Sequence, residues 1–156
     1  MNAVLPDGRK LELKPGATAA DAARAIGPGL AKAAIGAIAS GELYDLHKPL
    51  PDGAELRILT ERDPEYVLLF RHTLAHVMAQ AVRELYTERG FKPEEVKLAI
   101  GPVIENGFYY DIDPPEPLRE EDLPVIEEKM RRIVAANLPL ERFVLPREEA
   151  LKRYAG

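Results

Sequence analysis

Asn2-Ala3-Val4-Leu5-Pro6-Asp7-Gly8-Arg9-Lys10-Leu11-Glu12-Leu13 is the stretch that decides how the front of this chain folds. Two short runs with apolar residues at Val4, Leu11 and Leu13 flank an Asp-Gly turn, the pattern of a β-hairpin. Thr18 then stands as an N-cap with Asp21 three residues on, Ala19–Ile26 follow, and Gly27-Pro28 stops the run, which predicts a short helix. Ala33–Ala39, with Ile35 and Ile38, reads as a strand, although its alanines are weak strand formers. Tyr44–Leu46, a turn at Pro49–Gly53 and the alternating Leu56 and Ile58 complete the set. A hairpin, a helix and further strands in this order specify an α+β module arranged as a ubiquitin-like β-grasp.

The chain has 156 residues, 46% of them hydrophobic, enough for two small cores. The expected domains are 1–61 and 62–156. No run approaches the eighteen or so apolar residues of a membrane span, and the first residues lack the order of a secretion signal, so a soluble, cytoplasmic protein without a membrane partner is expected. Zero cysteines exclude disulfides and any thiolate metal site within this sequence. The net charge is −5, and residues 1–60 are neutral, with seven basic and seven acidic side chains, so the whole deficit lies in the remainder. Neither part is a basic nucleic-acid patch. An RNA partner has to be held by shape, by local positive spots or by other domains.

At Asp63-Pro64 an N-cap precedes proline at a first helical position, and a new element starts. From Glu65 to about Glu88, Val67, Leu74, Met78, Ala81 and Leu85 recur at helical steps, and Gly90 is the stop. Val96–Ile100 reads as a strand, Gly101-Pro102 as a break, and Asn106-Gly107 as a hairpin turn between Val103-Ile104 and Phe108–Ile112. A proline-rich loop, Asp113–Pro117, leads to a helix near Glu121–Ala136, then a strand Glu141–Leu145 and a helix start at Pro146-Arg147-Glu148-Glu149. The second domain is thus also α+β, a long helix with antiparallel strands.

His72 and His76 lie one turn apart on that long helix, about 40° apart around its axis. Measured from Val67, the apolar stripe falls within roughly 40°, whereas the histidines fall near 140° and 180°. The pair therefore points away from the expected core and can share one ligand. Ala79 and Arg83 continue the column, giving a floor suited to a polar or anionic ligand. A solvated face carrying two histidines by chance is the plain alternative. Metalloprotease chemistry is a poor alternative, because the zinc motif needs glutamate directly after the first histidine and Thr73 stands there. His47, close before Pro49, reads as an ordinary surface residue.

Leu5-Pro6-Asp7-Gly8 with its hairpin, the Thr18 helix start and Pro51-Asp52-Gly53 leading into Leu56-Arg57-Ile58-Leu59 resemble the TGS domain. That β-grasp module stands at the front of threonyl-tRNA synthetases and in some GTPases and stringent-response enzymes. His72-Thr73-Leu74-Ala75-His76, followed by Ile100-Gly101-Pro102-Val103-Ile104-Glu105-Asn106-Gly107-Phe108-Tyr109-Tyr110-Asp111, resembles the editing domain of threonyl-tRNA synthetases. The second stretch is long and unusual, hence specific.

The resemblance implies the N-terminal region of a synthetase whose editing domain hydrolyses serine from mischarged tRNA(Thr), with the seryl-adenosine 3′ end as ligand. It implies His72 and His76 as catalytic residues and Tyr110 as a pocket wall, the alternative for Tyr110 being a cross-strand aromatic of the core; Arg83 is expected as a substrate contact from its place on the histidine column. The family pocket adds a C-x-x-x-H pair, and here no cysteine exists and no histidine follows His76. The expectation is therefore a fragment ending inside the editing domain and inactive alone. His72 and His76 would be at most half of a metal site. No cofactor is expected within this sequence; the family's ATP, magnesium and zinc belong to a catalytic domain lying outside it, and the parent is expected to be a homodimer. The competing expectation is a non-catalytic TGS-containing module that docks RNA or a protein.

Overall fold

The computed structural model describes residues 1–141 and 143–154. It is α+β throughout and divides into two compact units, Met1–Leu69 and Phe70–Gly156.

In the first unit, β1 (Asn2–Val4) and β2 (Lys10–Glu12) form the expected antiparallel hairpin. Helix α1 (Ala19–Ile26) matches its predicted bounds. Its cap is reciprocal: the Asp21 N–H donates to Thr18 Oγ1 at 3.2 Å and the Thr18 N–H donates to the Asp21 carboxylate at 2.8 Å. Gly27-Pro28 ends α1 as expected, but Pro28 also opens a further turn, α2 (Pro28–Ala33), because proline suits a first helical position. The predicted strand therefore loses Ala33 to that helix and Ala34 to its C-cap, and starts later, as β3 (Gly36–Ala39). Strands β4 (Glu42–Tyr44) and β5 (Ala54–Leu59) complete a sheet of order β2-β1-β5-β3-β4, with β1 and β5 parallel. The core joins Ala3, Ala37, Ala39, Ala54 and Leu56 of the sheet to Ala19 and Ala22 of α1. Small side chains on both faces let the helix approach closely, so the alanines that weaken β3 as a strand serve its packing.

Asp63 does not cap the next helix. Its carboxylate accepts from the Thr60 N–H at 2.7 Å and pairs with Arg57 of β5 at 2.7 Å, so it closes the end of the first unit instead. Arg57 also pairs with Glu65.

Helix α3 runs Tyr66–Glu88, and Gly90 ends it at φ 93°. Its buried residues are Ala75, Ala79, Ala81, Val82, Leu85 and Tyr86, while Val67 is exposed. The buried face is thus turned by roughly 50° from the predicted stripe, toward the histidines. The turn has a physical reason: Tyr86 is fully buried in the core of the second unit, its hydroxyl satisfied by the Glu116 carbonyl.

Strands β6 (Lys97–Leu98), β7 (Val103–Ile104), β8 (Gly107–Phe108) and β9 (Ile112–Asp113) are short, pairing β7 with β8 and β6 with β9. They are two ends of one ribbon. Ile104 faces Gly107, so the two-residue loop is Glu105-Asn106 and not Asn106-Gly107; neither Asn106 nor Gly107 has a positive φ. Between the paired ends one strand takes five steps, Leu98 to Val103, and its partner four, Ile112 to Phe108. The extra residue is a β-bulge at Ala99-Ile100: the Ala99 N–H donates to the Asp111 carbonyl and the Asp111 N–H donates to the Ile100 carbonyl.

Helix α4 (Asp122–Ala136) packs Ile126, Met130 and Ile133 onto Ala81, Val82, Leu85, Tyr86 and Val96. Two ion pairs, Arg89 with Asp122 and Glu88 with Lys129, join its inner face to the end of α3. The predicted strand Glu141–Leu145 is not formed at Glu141 or at Phe143–Leu145; Arg142 lies outside the described residues. These residues are exposed or half-buried and find no partner strand to pair with among the described residues. Helix α5 (Arg147–Arg153) begins where expected.

Candidate functional site

His72 and His76 sit on the exposed side of α3. Their Nε2 atoms are 3.2 Å apart and the rings meet edge to face, centroids 4.7 Å apart at 88°. One turn of helix sets the spacing, and the contact sets the chemistry. At 3.2 Å the two rings are joined by a hydrogen bond when one Nε2 carries a proton and the other accepts it, the roles following the tautomer. Imidazole nitrogens in this arrangement are the kind of group that can exchange a proton with a bound ligand.

The expected floor beside the histidines differs from the sequence reading at Ala79, which is only 3% exposed. Ala79 belongs to the buried face, together with Ala75, because that face is turned toward the histidines. Arg83 remains exposed, and its Nε donates to the Pro93 carbonyl at 3.2 Å. One of its five donors is thus committed to holding the loop after α3, and four can still meet an anion.

Tyr110 lies between β8 and β9. Along this unbulged strand, Phe108, Tyr110 and Ile112 are half-buried, whereas Tyr109, Asp111 and Asp113 are exposed. Tyr110 therefore shares the face of Ile112, which joins the core against α3. It also lines an open groove of about 360 Å³ with Lys97, Leu98, Ala99 and Asp111, which the histidines do not line.

Two contributors were not singled out from sequence. Arg71, next to His72, donates through Nη1 to the Ile104 carbonyl at 2.9 Å and to the Glu105 carbonyl, tying the ribbon tip to α3. Its only sequence signal was its place beside the pair. Gly101, read as a break before Pro102, packs under Tyr110: a Cβ there would lie 2.6 Å from the ring. Among the described residues no group of three or more histidine, aspartate or glutamate side chains could hold a metal ion.

Residues 1–60 match the family model of the TGS domain. The whole chain is 65% identical to the threonine–tRNA ligase of Thermus thermophilus, over 156 residues that make up 24% of that protein. It is 52% identical over 155 residues, 99% of the chain, to the threonine–tRNA ligase of Deinococcus radiodurans, again 24% of that protein. For Thermotoga maritima the figures are 50% over 147 residues, 94% of the chain and 22% of the relative. The chain is a counterpart of the N-terminal region of threonine–tRNA ligases. It spans about a quarter of the length of these relatives. The threonine–tRNA ligase match takes in both quoted stretches, His72 to His76 and Ile100 to Asp111, since the Thermus alignment runs through the entire chain. No helix among the described residues is long and apolar enough to cross a membrane.

Proposed function

We propose that this chain is the N-terminal part of a threonine–tRNA ligase, with residues 1–61 a TGS module that docks tRNA and residues 62–156 the first part of an editing domain that clears serine from tRNA(Thr). Serine and threonine differ by one methyl group, worth only about 1–3 kcal/mol of discrimination in a pocket, so a separate hydrolytic step is needed. Hydrolysis breaks the ester between the seryl carbonyl carbon and the terminal ribose oxygen. Water adds to the carbonyl while its proton passes to an imidazole nitrogen, and the ribose oxygen leaves with a proton returned by the imidazolium. His72 orients that water or the terminal ribose, and His76 lines the pocket beside it. Tyr110 forms a wall, and the remaining donors of Arg83 meet the phosphate backbone.

The observation that carries this reading is the exposed, mutually bonded imidazole pair of α3, inside a stretch that aligns throughout with threonine–tRNA ligases. The test is deacylation of seryl-tRNA(Thr) by the ligase that contains this sequence, with and without His72→Ala. The substitution is expected to slow deacylation by roughly 10²-fold or more, the share of a positioned acid–base group, while threonine attachment continues. Deacylation at an unchanged rate would overturn the role given to His72 and leave a purely docking module.

A further inference from the structure

Tyr110 is the pocket wall in the reading above, and the ribbon itself determines where its ring can lie. Val103 pairs with Phe108, so two steps toward the base Gly101 faces Tyr110. The hydrogen bonds flanking this position, Tyr109 N–H to the Pro102 carbonyl at 3.0 Å and Asp111 N–H to the Ile100 carbonyl at 2.9 Å, make Gly101 and Tyr110 a non-hydrogen-bonded pair. Such pairs bring opposite Cα atoms closest and press their side chains together. A Cβ on Gly101 would fall 2.6 Å from Tyr110 Cδ2, 2.8 Å from Cε2 and 3.2 Å from the Tyr109 carbonyl oxygen. The ring edge thus occupies the space that any side chain at 101 would fill. Gly101 does not adopt the left-handed backbone that favours glycine, so conformational freedom does not explain the residue; the room it leaves does.

The ribbon also fixes the height of that ring along α3. Its base, Leu98 and Ile112, packs in the core with Ala81–Tyr86, and its tip accepts from Arg71. The six steps of strand from Leu98 to Ile104 cover about 20 Å, and the helix from Arg71 to the low eighties covers a similar length at ~1.5 Å per residue. Tyr110 stands two residues tipward of Ile112, about 7 Å, which is between four and five helical residues. That brings it level with the helical turn of His76 and Ala79.

We infer that Gly101 is a positioning residue: its bare Cα holds the Tyr110 ring flat across the ribbon at the height of the histidine pair. The bulge at Ala99-Ile100 starts the offset register that puts Gly101 opposite the ring. This rests on the editing-site reading for its functional half, while the steric half stands on the ribbon alone.

The experiment is a double-mutant cycle of Gly101→Ala and Tyr110→Ala, read by urea unfolding of this chain and by deacylation of seryl-tRNA(Thr) in the ligase that contains it. Gly101→Ala is expected to lower the urea midpoint when Tyr110 is present and to leave it nearly unchanged when residue 110 is alanine. Deacylation kcat/KM is expected to fall by roughly 10²-fold in Gly101→Ala, as for a misplaced contact, to a comparable level in Tyr110→Ala, and no further in the double variant. A midpoint penalty of Gly101→Ala that vanishes in the Tyr110→Ala background, while deacylation stays low, separates positioning from simple damage to the fold. An equal midpoint shift in both backgrounds overturns the inference. A Tyr110→Ala enzyme that deacylates at full rate overturns the site reading instead, whatever the stability cycle shows.

Discussion

Among the described residues, Asp122 and Lys129 are the charged side chains that the second unit buries, and both face the end of α3. A buried charge persists only when paired and hydrogen-bonded. For Asp122 the Arg89 guanidinium and then the Arg119 N–H hold the carboxyl below the ordinary aspartate range, against the opposing effect of burial. The unfolded chain therefore binds more protons than the folded one near pH 4, and stability rises with pH there. The contribution is complete above the unfolded value, about 3.9, and is lost as pH falls through the lower folded value. Asp122→Asn should thus be clearly less stable than the parent at pH 7, with the gap closing as the pH drops below 4. Urea unfolding at pH 7 and pH 3 checks this; an equal gap at both would show that the carboxylate charge contributes nothing. The histidine pair illustrates what single residues disclose from sequence. Spacing alone placed His72 and His76 on one exposed face, whereas the packing of Ala79 beside them depends on which way Tyr86 turns the helix.

Elements with local signals were legible. The Thr18–Asp21 box, the Asp-Gly hairpin and the Gly90 stop each fix backbone geometry within four residues, and the structure keeps all three. Where the outcome depended on distant partners, the sequence reading slipped. Val96–Ile100 is a paired strand only at Lys97-Leu98, because a bulge at Ala99-Ile100 interrupts the ladder, and Glu141 and Phe143–Leu145 find no strand to pair with among the described residues. The ribbon's tip is also secured from outside the sheet, by the Arg71 guanidinium on two carbonyls. β7 and β8 pair over two residues each, too little to persist unaided. Arg71→Ala should therefore loosen the tip before the base. Amide hydrogen exchange is expected to speed up at Tyr109, whose N–H donates to the Pro102 carbonyl, and to stay unchanged at Ala99 near the base. Protection at Tyr109 equal to that of the parent would deny Arg71 its clamping role.

The whole molecule presents two cores of different make. The second gathers Tyr86, Leu85, Val82, Val96 and Ile126, all large, whereas the first is mostly alanine around Leu50 and Leu56. Every residue of the first core, from Ala3 to Leu56, lies in Met1–Leu69, as do the ion pairs of Arg57 with Asp63 and Glu65. That unit closes its own sheet and buries its own helix, so residues 1–69 alone should unfold in a single cooperative transition. The margin is small, since a domain of this size buries only about 60% of the surface its chain exposes. Leu56 and Leu59 are the largest fully buried side chains in the unit, and truncating Leu56, which packs among the core alanines, leaves a cavity that those neighbours are too short to fill. Leu56→Ala should cost about 2–5 kcal/mol, most of what such a unit has, and turn its thermal transition into a gradual slope. Circular dichroism of residues 1–69 with and without the substitution decides the matter. A parent segment without a transition would mean that the front unit draws its stability from the rest of the chain, and a Leu56→Ala segment with an unshifted midpoint would mean that the alanine contacts alone hold the sheet to the helix.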